Sequence, residues 1–128
     1  MRIPARLSAL ALLGAVATAC NQPPAPTPDT GLTGVVVRGP ITPGPCVIDR
    51  PCNAPFSAAF DVYENTRRVA GFRSDANGRF TVMLAAGTYR IIPAADAPII
   101  SPSTQVKTVD VLPMGLTQVS LDFDTGIR

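Results

Sequence analysis

Residues 74–91 read SDANGRFTVMLAAGTYRI, and their spacing decides the fold. Phe80, Val82 and Leu84 alternate with Thr81 and Met83, the period of two that puts apolar side chains on one face of a strand. Asp75-Ala76-Asn77-Gly78 stands before this run, and Asn-Gly supplies the positive φ that a tight turn requires. The reading predicts a hairpin here, with the flanking strands as antiparallel neighbours. Ala85-Ala86-Gly87 makes the next turn, and Thr88–Ile92 the strand that follows it.

The same pattern extends in both directions. Leu32–Val37, a run marked by Ala58, Phe60 and Val62, Arg68–Arg73 and Gln105–Val111 supply further strands. In Gln118–Phe123, Val119, Leu121 and Phe123 alternate with Gln118, Ser120 and Asp122, and Met114-Gly115 is read as the turn of the last hairpin. No window has a convincing helical period. The expected fold is all-β: a single small antiparallel β-sandwich of about seven strands over residues 31–128. About a hundred residues suffice for one such core. The 14 prolines and 10 glycines suit a turn-rich β domain joined to a stiff tail.

That tail precedes the domain. Residues 1–19 have the parts of an export signal: Arg2 and Arg6, an apolar run from Leu7 to Ala17, and the small residues before Cys20. The run is 11 residues long, too short to cross a bilayer as a helix, which takes about 20 residues. Ala17-Thr18-Ala19-Cys20 resembles the bacterial lipobox, whose cysteine carries diacylglycerol through a thioether and becomes the new N-terminus. The resemblance implies a lipid anchor on Cys20, with acyl chains as the covalent attachment and no other cofactor. Several chains, at about 0.8 kcal/mol per buried CH₂, hold a protein on a membrane stably. Asn21, rather than the Asp of inner-membrane retention, favours the outer membrane by analogy. Residues 21–30, NQPPAPTPDT, hold four prolines in ten residues, so residues 20–30 read as a lipidated cysteine and a semi-rigid polyproline II stalk, reaching roughly 30 Å.

The run 74–91 also resembles the signature of carboxypeptidase regulatory-like domains, Thr/Ser-Asp-x-x-Gly-x-Phe, an apolar strand, then Pro/Ala-Gly-x-Tyr. With Gly34-Val35-Val36 as first strand and Val119–Phe123 as last, the resemblance covers nearly all of residues 31–128. It implies a transthyretin-like, or prealbumin-like, sandwich. In metallocarboxypeptidases the corresponding domain sits beside the catalytic one and is not the enzyme, so the implied role is support, binding or display. The residues of the motif are explained by folding: Gly78 and Gly87 turn the chain, Phe80, Val82 and Leu84 fill a core, and Tyr89 packs with its hydroxyl partnered at the rim.

Composition argues against several activities. The chain has no histidine, which removes the commonest general base and transition-metal ligand. Hydroxyisourate hydrolases, which share the transthyretin-like fold, carry histidines and a terminal Tyr-Arg-Gly-Ser, and neither is present. Without Arg2 and Arg6 the 11 basic residues fall to nine, level with the nine acidic ones. Nucleic acid is therefore not an expected partner. Asp75 and Asn77 offer two oxygens where calcium takes six to eight. Asp124-Thr125-Gly126 spells the aspartic protease tripeptide, but only two residues follow it in this sequence and it finds no second lobe.

Cys46 and Cys52 lie in a proline-dense insertion, ITPGPCVIDRPCNAPF, between the first two strands. Export favours a disulfide between them, while a metal site lacks ligands. The stapled loop, with Val47, Ile48, Asp49 and Arg50, is the candidate contact surface; a cap that shields a sheet edge is the alternative. Arg67 and Arg68, with Arg73 and Arg79, are candidates for a basic edge on one hairpin that meets lipid phosphate or anionic polysaccharide; solvated outer-face arginines are the commoner alternative. The function expected from the whole is a lipid-anchored cell-envelope protein whose non-catalytic sandwich binds or supports another envelope component, protein or glycan. A carbohydrate-binding module is the alternative, because starch-binding domains share a related sandwich; the absence of Trp weighs against it.

Overall fold

The computed structural model describes residues 28–128. The expected signal segment, Cys20 and all but the last three residues of the stalk lie outside them. Eight strands run in chain order: β1 (Gly31–Gly39), β2 (Ala54–Pro55), β3 (Ala59–Glu64), β4 (Arg67–Arg73), β5 (Arg79–Met83), β6 (Gly87–Pro93), β7 (Lys107–Val111) and β8 (Leu116–Asp124). They form two four-stranded sheets. In the first, β1 lies between β8 on one side and β5 and β2 on the other; the second has the order β4-β3-β6-β7. The sandwich is antiparallel except where β1 and β8 run parallel along their whole length, from Gly31 opposite Leu116 to Gly39 opposite Asp124. The strand not expected from the sequence is the two-residue β2, which closes the insertion against Val37 and Arg38.

The core is where the alternation placed it. Leu32, Val36, Phe80, Val82, Leu121 and Phe123 from the first sheet meet Phe60, Val62, Tyr89, Ile91, Val109 and Val111 from the second, all buried. All five phenylalanines of the chain join one stack across the layers. Phe72 and Phe80 face each other at 4.4 Å between centroids, Phe60 stacks on Phe72 at 5.0 Å, and Phe56 meets Phe123 edge-on at 5.9 Å. Ring pairs at these spacings add to the stabilisation given by apolar burial alone.

Two expected hairpins are corrected. The strands flanking Asp75–Gly78 belong to different sheets: β4 pairs with β3, and β5 pairs with β1. Locally the turn closes as a hairpin turn does. The Asp75 carboxylate accepts the N–H groups of Asn77 and Arg79, each at 2.9 Å, and the Asp75 N–H donates to the Arg79 carbonyl. Outside the turn, other partners separate the two arms. The Ser74 hydroxyl donates to the Phe56 carbonyl at 2.8 Å and accepts the Ala58 N–H at 3.0 Å, holding one arm on the chain leading into β3. The Gly78 carbonyl accepts the Val36 N–H at 2.8 Å, holding the other on β1. Gly78 meets two demands, a φ of +74° and an approach so close that a Cβ would lie 2.3 Å from the Val36 carbonyl oxygen. Met114-Gly115 likewise crosses between sheets, from β7 to β8, and joins no hairpin.

Register fixes which features share an end of the sandwich. Gly31 lies opposite both Met83 and Leu116, Gly87 opposite Val111, and Glu64 opposite Arg67. The point where the chain enters the sandwich therefore shares one end with the connections 65–66, 84–86 and 112–115. The insertion 40–53, the turn 75–78 and residues 124–128 lie at the other. Nine residues of β1 separate the ends, roughly 30 Å at about 3.3 Å per residue.

Candidate functional site

The insertion stands on the far end as a stapled loop. Cys46 and Cys52 form a disulfide, with Cα atoms 5.7 Å apart. The Ile41 N–H donates to the Cys52 carbonyl at 2.8 Å, and β2 returns the chain to β1. Closing a loop of this length contributes roughly 2 kcal/mol by the chain-entropy argument. That matters here because Thr42–Pro51 are all exposed and burial contributes little. Ile48 is fully exposed and Val47 half so, beside the charges of Asp49 and Arg50. The base of the loop is braced by the residue that follows β8: the Thr125 hydroxyl donates to the Pro40 carbonyl at 2.6 Å, and its N–H to the Gly39 carbonyl.

Arg67 and Arg68 do not join this surface. They begin β4 at the opposite end, where Arg68 forms a 2.8 Å ion pair with Asp61 and Arg67 approaches Glu64 at 3.8 Å. Nor do the four arginines form one basic edge. Arg73 ends the same strand six residues on, with Arg79 across the turn, so the length of β4 splits the group between the two ends of the sandwich.

Arg73 and Arg79 instead border a shallow groove on the outer face of the first sheet. Thr33, Val35, Asp75, Thr81 and Gln118 line it, the two threonine hydroxyls 3.2 Å apart. Among the described residues neither arginine has an ion-pair partner, whereas Arg38 donates to the Pro98 carbonyl, Arg90 to that of Asn65, and Arg128 to the Asp124 carboxylate. The groove gathers residues from β1, β4, β5 and β8. Nothing in local spacing announces such a meeting.

Three titrating groups are displaced: Tyr89, and Asp124 with its partner Arg128, whose guanidinium is raised by the same contact. Burial, then the neighbouring Glu64 carboxylate, raises the Tyr89 phenol above its ordinary value of 10.0. Its hydroxyl donates to the Ala85 carbonyl at 2.6 Å, the rim partner expected from the sequence. Asp124 is held below the ordinary carboxylate range by the Arg128 side chain first and the Gly126 N–H second. That pairing caps the strand at the tripeptide Asp124-Thr125-Gly126, with the Gly126 N–H 2.8 Å from Asp124 Oδ1. Among the described residues no three His, Cys, Asp or Glu side chains converge as a metal site, and no helix is long and apolar enough to cross a membrane. Compared with known proteins, the chain matches no family model and no curated sequence.

Proposed function

We propose that this chain is an exported, lipid-anchored envelope protein whose sandwich presents the stapled loop 40–53 to another envelope component. The observation that carries the reading is the loop itself: fourteen residues with little burial, ordered by a disulfide and braced at both ends, with two aliphatic side chains at the tip. Ordered loops on a rigid sheet scaffold are the usual place for recognition. The cysteine pair supports an oxidising compartment. The lipobox-like Ala17–Cys20 supports anchorage, and the resemblance of residues 74–91 to carboxypeptidase regulatory-like domains supports a non-catalytic role.

A photo-crosslinking amino acid at position 48, introduced in cells, tests this. Adducts are expected from position 48 and not from Thr108 on the side of the second sheet. No adduct, or equal adducts from both, overturns the reading. The groove of Thr33, Arg73, Arg79 and Gln118 favours a second version in which the component is a glycan, held by hydroxyl, amide and guanidinium groups. On a glycan array that version expects hits lost in Arg73→Ala and Arg79→Ala.

A further inference from the structure

The end at which the chain enters the sandwich carries an exposed apolar patch on the side of the first sheet. Met83, Leu112, Met114 and Leu116 are there, 43%, 56%, 85% and 47% exposed. Met83 and Leu116 pair with Gly31 from its two sides, so the three share the outer face of the sheet and the glycine puts no side chain between the other two. Leu112 and Met114 belong to the connection leading into Leu116, which is closed by the Leu112 N–H donating to Thr117 Oγ1 at 2.9 Å. Ala85 and Ala86 are exposed in the neighbouring connection. Arg67 projects at the same end, its side chain 77% exposed and its 3.8 Å approach to Glu64 too long for a hydrogen bond.

The tether leaves from the same place. The Thr30 hydroxyl donates to the Leu84 carbonyl at 2.6 Å, and the Leu84 N–H returns to the Thr30 carbonyl at 3.0 Å, so there is no slack between stalk and sheet. Ten residues, 21–30, separate Cys20 from β1. As polyproline II they span roughly 30 Å, and at full extension at most about 36 Å, which bounds the height of this end above an anchored Cys20; any less extended path brings it nearer the lipid. Held within that distance, the apolar end meets the bilayer at a high effective concentration, and modest apolar burial then suffices to seat it.

We infer that Met83, Leu112, Met114 and Leu116 seat this end of the sandwich on the lipid surface to which Cys20 is attached. The inference rests on the anchor proposed above. The aliphatic side chains enter the boundary between head groups and acyl chains, with Arg67 beside them at the height of the lipid phosphates. The stapled loop then faces away from the membrane, one strand length further out.

The sequence makes the test direct, since it has no Trp and, with Cys46 and Cys52 bridged, a single free thiol at Cys20. The chain from Cys20 onward is coupled through that thiol to a maleimide-bearing lipid in phosphatidylethanolamine–phosphatidylglycerol vesicles, as Met114→Trp and separately as Ile48→Trp. On vesicles the reporter at 114 shifts to shorter wavelength and loses most of its intensity to doxyl-labelled lipid. The reporter at 48 does neither. Adding Met83→Ser and Leu116→Ser to Met114→Trp reverses most of the shift. A reporter at 114 that stays water-like on vesicles overturns the inference directly, as does one already shifted without lipid, which marks a second copy as the occupant. Mass spectrometry of the N-terminus from cells tests the premise alone: acyl groups on Cys20 support it, and an unmodified cysteine overturns the inference through the anchor.

Discussion

In the sandwich core, the chain is ordered by what it buries: five phenylalanines in one stack, with Leu32, Val36, Val62 and Ile91 fully enclosed around them. In residues 40–53 it is ordered by one covalent bond and a few backbone hydrogen bonds, while Thr42–Pro51 meet solvent. The two regions touch along β1 and β2, yet their stability has different sources. A region held by a bond instead of by burial is free to choose its side chains for contact.

The largest expected effect falls on the buried side. Phe60→Ala removes the ring that stacks on Phe72 and approaches Phe56 and Phe123, and should cost about 3–5 kcal/mol in denaturant unfolding; a loss below about 1 kcal/mol would break the comparison at its root. Ser74→Ala leaves the Ala58 N–H and the Phe56 carbonyl without their buried partner, for an expected loss of about 1–3 kcal/mol. Its isosteric companion Ser74→Cys should be no better, because a thiol is a weak donor and acceptor.

Replacing Cys46 and Cys52 by alanine should lower stability by at most about 2 kcal/mol. In hydrogen exchange the Ile41 amide should lose protection while the Phe60 and Ile91 amides keep most of theirs. Equal loss in both regions would mean that loop and core unfold as one unit. The smallest effect is alkaline. Because the Tyr89 phenol is raised above 10.0 in the folded state, its contribution is complete below that value and is lost as pH rises through the folded one. Thermal midpoints should therefore fall at strongly alkaline pH, and Tyr89→Phe should remove that part of the fall.

The sequence made the strands legible through alternation, since Phe80-Val82-Leu84 and Val119-Leu121-Phe123 face the core as their period requires. The disulfide was legible from two cysteines close together in one proline-dense insertion. The partition of strands between sheets was not. Asn77-Gly78 specifies a tight turn, and the turn formed, but a turn does not determine whether its arms pair. That depended on Ser74 reaching Phe56 and on Gly78 lying against Val36, contacts made across 18 and 42 residues. The apolar end was hidden for the same reason, because Met83 and Leu116 meet only once β1 lies between them.

The parallel pairing of β1 with β8 sets an order on folding. The strand made first is paired along its full length only by the strand made last among the eight, so the register from Gly31–Leu116 to Gly39–Asp124 cannot form until residue 124 has been synthesised. Such long-range closure is slow. A nascent chain of this design completes its first sheet only once β8 has been made.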